Sequence, residues 1–92
     1  MPLHMVDVNS ATPLRRPKGS QVTLVNTSNV VVYFDINQNY LNSFAPGSVP
    51  NTAFLPAAAA GPPVVPGSVQ FDDFPGVIWT RSVTQTTIQV YP

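Results

Sequence analysis

Proline sets the limits on what this chain can fold into. Eleven prolines and five glycines punctuate its 92 residues. A proline inside a helix removes a backbone hydrogen bond and clashes with the preceding turn. No interval between the breakers carries apolar residues at helical spacing. The tract Ala57-Ala58-Ala59-Ala60 has high helix propensity, but Pro56 precedes it and Gly61-Pro62-Pro63 follows it. Four residues cannot repay helix nucleation. The tract is therefore expected as loop, with a single helical turn at most.

Strand patterns fill the remaining intervals. Residues 21–26 alternate, with Val22 and Leu24 on one face and Gln21, Thr23 and Val25 on the other. Residues 29–36 do the same, placing Val30, Val32, Phe34 and Ile36 opposite Val31, Tyr33 and Asp35. The intervening Asn26-Thr27-Ser28-Asn29 closes turns through side-chain hydrogen bonds, so the pair reads as a hairpin. Period-two apolar residues imply sheets packed on a core by one face. Further strands are expected at 68–71, 77–83 and 86–91, with Pro75-Gly76 as a turn corner and 82–85 short enough for a second hairpin. Leu3 to Val8 reads as a strand, followed by an extended arm through Pro13 and Pro17. The tetrapeptide Pro-Gly-Ser-Val stands at 46–49 and again at 66–69. It reads as two separate turns entering strands.

The fold class is thus all-β: a small antiparallel β-sandwich or barrel of about six to eight short strands. Residues 1–19 form a strand and arm. Residues 20–92 form one domain with a long Pro/Ala-rich loop at 38–66, interrupted by a strand at 51–55.

Charge is scarce. The chain has four basic and four acidic residues, 9% of the total, and a net charge of zero. Soluble domains average about 25%. Free monomers use surface charge to stay soluble and apart. Disorder is disfavoured, because Val, Thr, Ile and aromatic residues are plentiful. The chain reads as a folded module that works against other protein. Its mass of 9.9 kDa allows one core but not a core plus a deep catalytic cleft. It has no cysteine, hence no disulfide or thiolate chemistry. No apolar run approaches the ~20 residues of a membrane span. The start lacks the basic and apolar regions of a signal peptide, so cytoplasmic synthesis is expected. Zero net charge argues against nucleic-acid binding.

Catalytic equipment is thin. His4 is the lone histidine and reads as solvated, since a metal site needs converging ligands. There is no glutamate. Asp72 and Asp73 would point to opposite faces of a strand, which suits no two-carboxylate mechanism. In a turn they lack the further oxygens that calcium needs, and the plainer role is closing the turn before Phe74. No phosphate-binding glycine loop occurs. No enzyme and no cofactor is expected.

The remaining candidates are partner contacts. Arg15, Arg16 and Lys18 are three of the four basic residues, and flanking prolines keep them extended. They are either a solvated link or an arm lying on an acidic protein surface, where arginine pairs with carboxylates. Tyr33 and Tyr40 flank the long loop and suit either core or interface. Phe44, where the Pro/Ala stretch begins, joins them as a candidate contact. Trp79 is expected in the core.

Several segments together carry a resemblance. They are Val22-Thr23-Leu24-Val25-Asn26-Thr27-Ser28, the strand Val30 to Asp35, Pro-Gly-Ser-Val-Gln-Phe at 66–71, Phe74-Pro75-Gly76-Val77-Ile78-Trp79-Thr80-Arg81-Ser82 and Thr86-Thr87-Ile88-Gln89-Val90-Tyr91. Over about half the chain this order of strands and turns resembles small β-sandwich structural proteins of tailed bacteriophages, either capsid decoration (cement) proteins or tail and fibre components. The stretch 44–66 and the Arg15-Arg16 arm depart from that pattern. The resemblance implies a virion structural protein that binds and reinforces a repeating capsid lattice. Its partner would be the major capsid protein or another virion protein, its location the capsid surface, and its assembly a homo-oligomer such as a trimer. A receptor-binding or adhesive module of a tail or fibre is the alternative, with loop 38–66 as its recognition surface.

Overall fold

Burial alternates along residues 22–26 and 86–91 in a computed structural model, which describes residues 3–8, 10–45, 51–59, 61 and 63–92. In chain order the strands are β1 (Leu3–Val6), β2 (Thr12–Arg15), β3 (Val22–Asn26) and β4 (Val32–Asp35). A short helix, α1 (Gln38–Asn42), follows. Then come β5 (Phe54–Leu55), β6 (Gly67–Phe71), β7 (Val77–Ser82) and β8 (Thr86–Tyr91). All pairings are antiparallel. Sheet I has the order β1-β8-β3-β6 and sheet II the order β2-β7-β4-β5.

One face of each sheet feeds a shared core. Sheet I contributes Val6, Val22, Leu24, Ile88 and Val90, and sheet II contributes Leu14, Val32, Leu55 and Ile78. Phe74, from the β6–β7 connection, is fully buried among them. Each such side chain contributes about 1.5–3 kcal/mol on leaving water. The core extends to one end through edge-on ring contacts, Phe34 on Phe71 at 5.6 Å and Phe71 on Phe74 at 5.4 Å.

The two expected hairpins are absent. β3 pairs with β6 and β8, whereas β4 pairs with β5 and β7. Residues 27–31 therefore carry the chain from sheet I to sheet II. Likewise β7 lies in sheet II and β8 in sheet I. Asn26 explains the first crossing. Fully buried, its amide nitrogen donates to Val30 O at 2.7 Å and to Pro56 O at 3.2 Å. Its oxygen accepts from the Ser28 backbone N–H and hydroxyl. All four hydrogen-bonding positions of the amide are filled, and one partner belongs to the far sheet's edge. Gly67 makes the same junction possible. A Cβ there would lie 2.0 Å from Pro56 O, so only glycine fits.

Other expectations are also revised. Residues 12–15, read as part of a free arm, form an edge strand paired with β7. Proline is tolerated there because its missing N–H leaves no gap in a central ladder. The long loop contains α1 and β5, and Ala59 bridges Val65. The strand expected at 51–55 covers only Phe54–Leu55. The first Pro-Gly-Ser-Val copy, 46–49, lies outside the described residues; the second enters β6. Gly76, at the expected corner, takes φ +99°, a conformation that favours glycine.

Candidate functional site

The sequence candidates fall into two separate groups. Arg15 ends β2, exposed, opposite Val77. Arg16 is half-buried; its backbone N–H donates to Gly76 O and its guanidinium to Arg15 O. Lys18 is exposed in the turn that follows. This loop is laced to the β6–β7 loop, since Gly19 N donates to Phe74 O and Phe74 N to Ser20 O. Asp73 approaches close enough that a Cβ on Gly19 would lie 3.6 Å from its carboxylate.

The aromatic candidates lie at the other end of sheet II. Strand alternation puts Arg15, Pro13, Val77, Trp79, Arg81, Tyr33, Asp35 and Phe54 on its outer face. Arg81 stands beside Tyr33, four residues along β7 from Val77, or roughly 13 Å from the basic end. Tyr33 is half-buried, its ring 6.3 Å from that of Phe54. Tyr40, exposed on α1, packs edge-on to the half-buried Phe44 at 5.3 Å, and its hydroxyl donates to Asn51 O. Trp79 is half-buried on this outer face rather than in the core.

Sequence reasoning missed what holds α1 against this face. Asn37 caps the helix through its side chain, and Leu41 beneath it is fully buried. Arg81 is only 3% exposed. Its guanidinium donates to Val8 O, Leu41 O and Phe44 O, the last two at 2.8 and 2.6 Å. One side chain ties the β1–β2 connection and α1 to β7. Asn42 adds a bond from the Ala11 N–H at 2.7 Å. A five-residue helix gives no periodic signal, so only the Asn37 cap could have revealed it.

The outer face of sheet I is different. Its positions are Leu3 and Met5 on β1, Thr87, Gln89 and Tyr91 on β8, Thr23 and Val25 on β3, and Ser68 and Gln70 on β6. None of these residues is charged. Leu3 and Met5 are 66% and 59% exposed.

His4 faces inward from β1 and is half-buried rather than solvated. The Thr80 hydroxyl donates to Thr12 O, so it accepts from His4 Nε2–H at 2.9 Å. Burial, and secondarily the Arg16 guanidinium, hold this imidazole below its ordinary pKa. Among the described residues no group of three or more histidines and carboxylates converges as a metal site. No helix among them is long and apolar enough to cross a membrane. The chain matches no protein-family model, no curated protein and no solved structure.

Proposed function

We propose that this chain is a small β-sandwich structural module of a virion, a capsid decoration (cement) protein that docks in many copies on a repeating capsid lattice. One observation carries the reading: the outer face of sheet I has no charge across four strands. Meanwhile Arg15, Arg16, Lys18, Asp72 and Asp73 are gathered on paired loops at one end. A flat face of Thr, Gln, Ser, Val and Tyr suits burial against protein, because it brings hydrogen-bonding groups without charge desolvation. The strand-and-turn resemblance supplies the lattice as partner. Repetition supplies avidity from weak single contacts, and closed symmetry such as a trimer is the natural assembly.

Pelleting the purified chain with empty capsid shells of tailed phages tests the proposal. The expected result is saturable uptake in a fixed ratio to capsid subunits. A chain that stays in the supernatant with every shell, and sediments as a monomer at millimolar concentration, overturns it. The adhesive reading draws support from the exposed apolar residues of the 38–66 segment, Phe54, Val64 and Val65. Binding to cells or glycans without uptake by shells would favour that reading instead.

A further inference from the structure

An edge strand presents a row of unpaired backbone N–H and C=O groups, which proteins blunt with proline, charge, bulges or shortness. On sheet II, β2 carries Pro13 and Arg15, and β5 has only two residues. On sheet I, β1 lacks such devices, but its inward apolar residue, Val6, is fully buried. β6 has neither protection. Gly67-Ser68-Val69-Gln70-Phe71 contains no proline and no charge, and it pairs with β3 residue for residue, without a bulge. Its far side makes no backbone hydrogen bond among the described residues. Its inward side chains are open too. Val69 and Phe71 are half-buried, whereas Val22 and Leu24 beside them on β3 are fully buried. The cause lies in sheet II, whose edge strand β5 packs on β6 with two residues against five.

The strand is complementary to itself. Antiparallel pairing about a two-fold axis at Val69 sets Val69 against Val69, Ser68 against Gln70 and Gly67 against Phe71. Like faces meet in this register. Hydroxyl stands beside amide on the outer side, and the half-open Val69 side chains meet on the inner side. The nearest charge, Asp72, falls opposite Pro66, so no like charges are brought together. A second copy supplies every one of these matches, as an isologous contact requires.

We propose that β6 pairs with β6 of a second copy, joining two four-stranded sheets into one continuous sheet. The contact needs no capsid, so it goes beyond lattice docking and makes the closed symmetry two-fold.

Sedimentation equilibrium of the chain alone, from micromolar to millimolar concentration, tests it. A monomer–dimer equilibrium is expected. Ser68→Lys with Gln70→Lys sets like charges against each other at both crossings and should weaken association about tenfold or more. Ser68→Lys with Gln70→Asp sets opposite charges there and should hold the dimer at least as well as the parent. Only the register centred on Val69 gives that rescue. Ser68 and Gln70 are exposed, so the fold should tolerate both pairs. Amide exchange of the parent gives a reading that needs no variant: amides of β6 should gain protection as concentration rises. A parent that stays monomeric throughout overturns the proposal, as does a trimer, which needs head-to-tail contacts. So does an undiminished dimer in the double-lysine variant, failure of the opposite-charge pair to restore it, or β6 exchange that ignores concentration. Uptake by capsid shells can fail while this dimer stands, and the reverse.

Discussion

The outer faces of the two sheets have been finished in opposite ways. On sheet II the chain covers its own strands: α1 packs on β4 and β7, Leu41 is buried beneath it, and Arg81 donates to the carbonyls of Leu41 in the helix and Phe44 just beyond it. On sheet I nothing comparable is built among the described residues, and the face presents uncharged side chains in rows. A central strand can thus be read differently on its two sides. β7 is buried at Ile78, Thr80 and Ser82 by the core and at Arg81 by α1. The contrast teaches that scarcity of charge has two causes here. Sheet II hides one of its few charges inside the fold, whereas sheet I simply has none.

Substitutions can break or sharpen this contrast. The largest effect is expected from Arg81→Ala. It leaves the carbonyls of Leu41 and Phe44 without their donor, each costing about 1–3 kcal/mol. Urea denaturation should report a loss of roughly 3 kcal/mol or more, and Arg81→Lys should rescue little because it lacks the planar fork. A stability within experimental error of the parent would mean that α1 is not held by Arg81. Leu41→Ala comes next, at about 2–4 kcal/mol. Amide exchange should show α1 and Phe44 losing protection ahead of the core strands; simultaneous loss would make the helix part of the core rather than a cover.

A smaller effect concerns β1, the most apolar part of the sheet I face. Because His4 has a lowered pKa in the folded state, the unfolded chain binds more protons in the range where the two states differ. The contribution of His4 is full above about pH 6.5 and declines as pH falls through the folded pKa. His4→Gln should flatten that part of the stability profile, measured by thermal melts between pH 7 and pH 5. An unchanged slope would refute the inward, desolvated placement. The smallest effect on stability is expected from Thr23→Lys with Gln89→Lys on the bare face, within about 0.5 kcal/mol. The same pair should abolish uptake by capsid shells. Undiminished uptake would move the docking surface elsewhere.

Much of the strand content was legible. Val22 and Leu24, and Ile88 and Val90, fell on one buried face as alternation implied, whereas in β7 the core takes Ile78 and Thr80 and leaves out Trp79, the residue expected there. Pairing was not legible, because Asn26, Thr27 and Ser28 signal a reversal without saying whether the chain stays in its sheet. That choice depends on a hydrogen bond to Pro56, thirty residues away, and on the close approach at Gly67. Of the contact candidates, Arg15, Lys18 and Tyr40 are exposed, as a partner surface requires. Arg16, Tyr33 and Phe44 are partly taken up by the chain's own contacts. The uncharged face of sheet I escaped notice because its members are scattered over four strands and meet only once the register is known. Arg81 gave no sign of its role, since nothing local foretells a helix laid over it.

The order of strands also bears on how the molecule comes into being. Among the described residues β1 pairs only with β8 and β2 only with β7, and these two partners are the last of the described strands in sequence. During synthesis from the N-terminus, the first two strands must therefore wait for the last two before either finds a partner. Closure of such distant pairs is slow. A ribosome-bound or truncated chain lacking β7 and β8 would hold its earliest strands open to foreign pairing, so competence should arrive in a single late step rather than by stages.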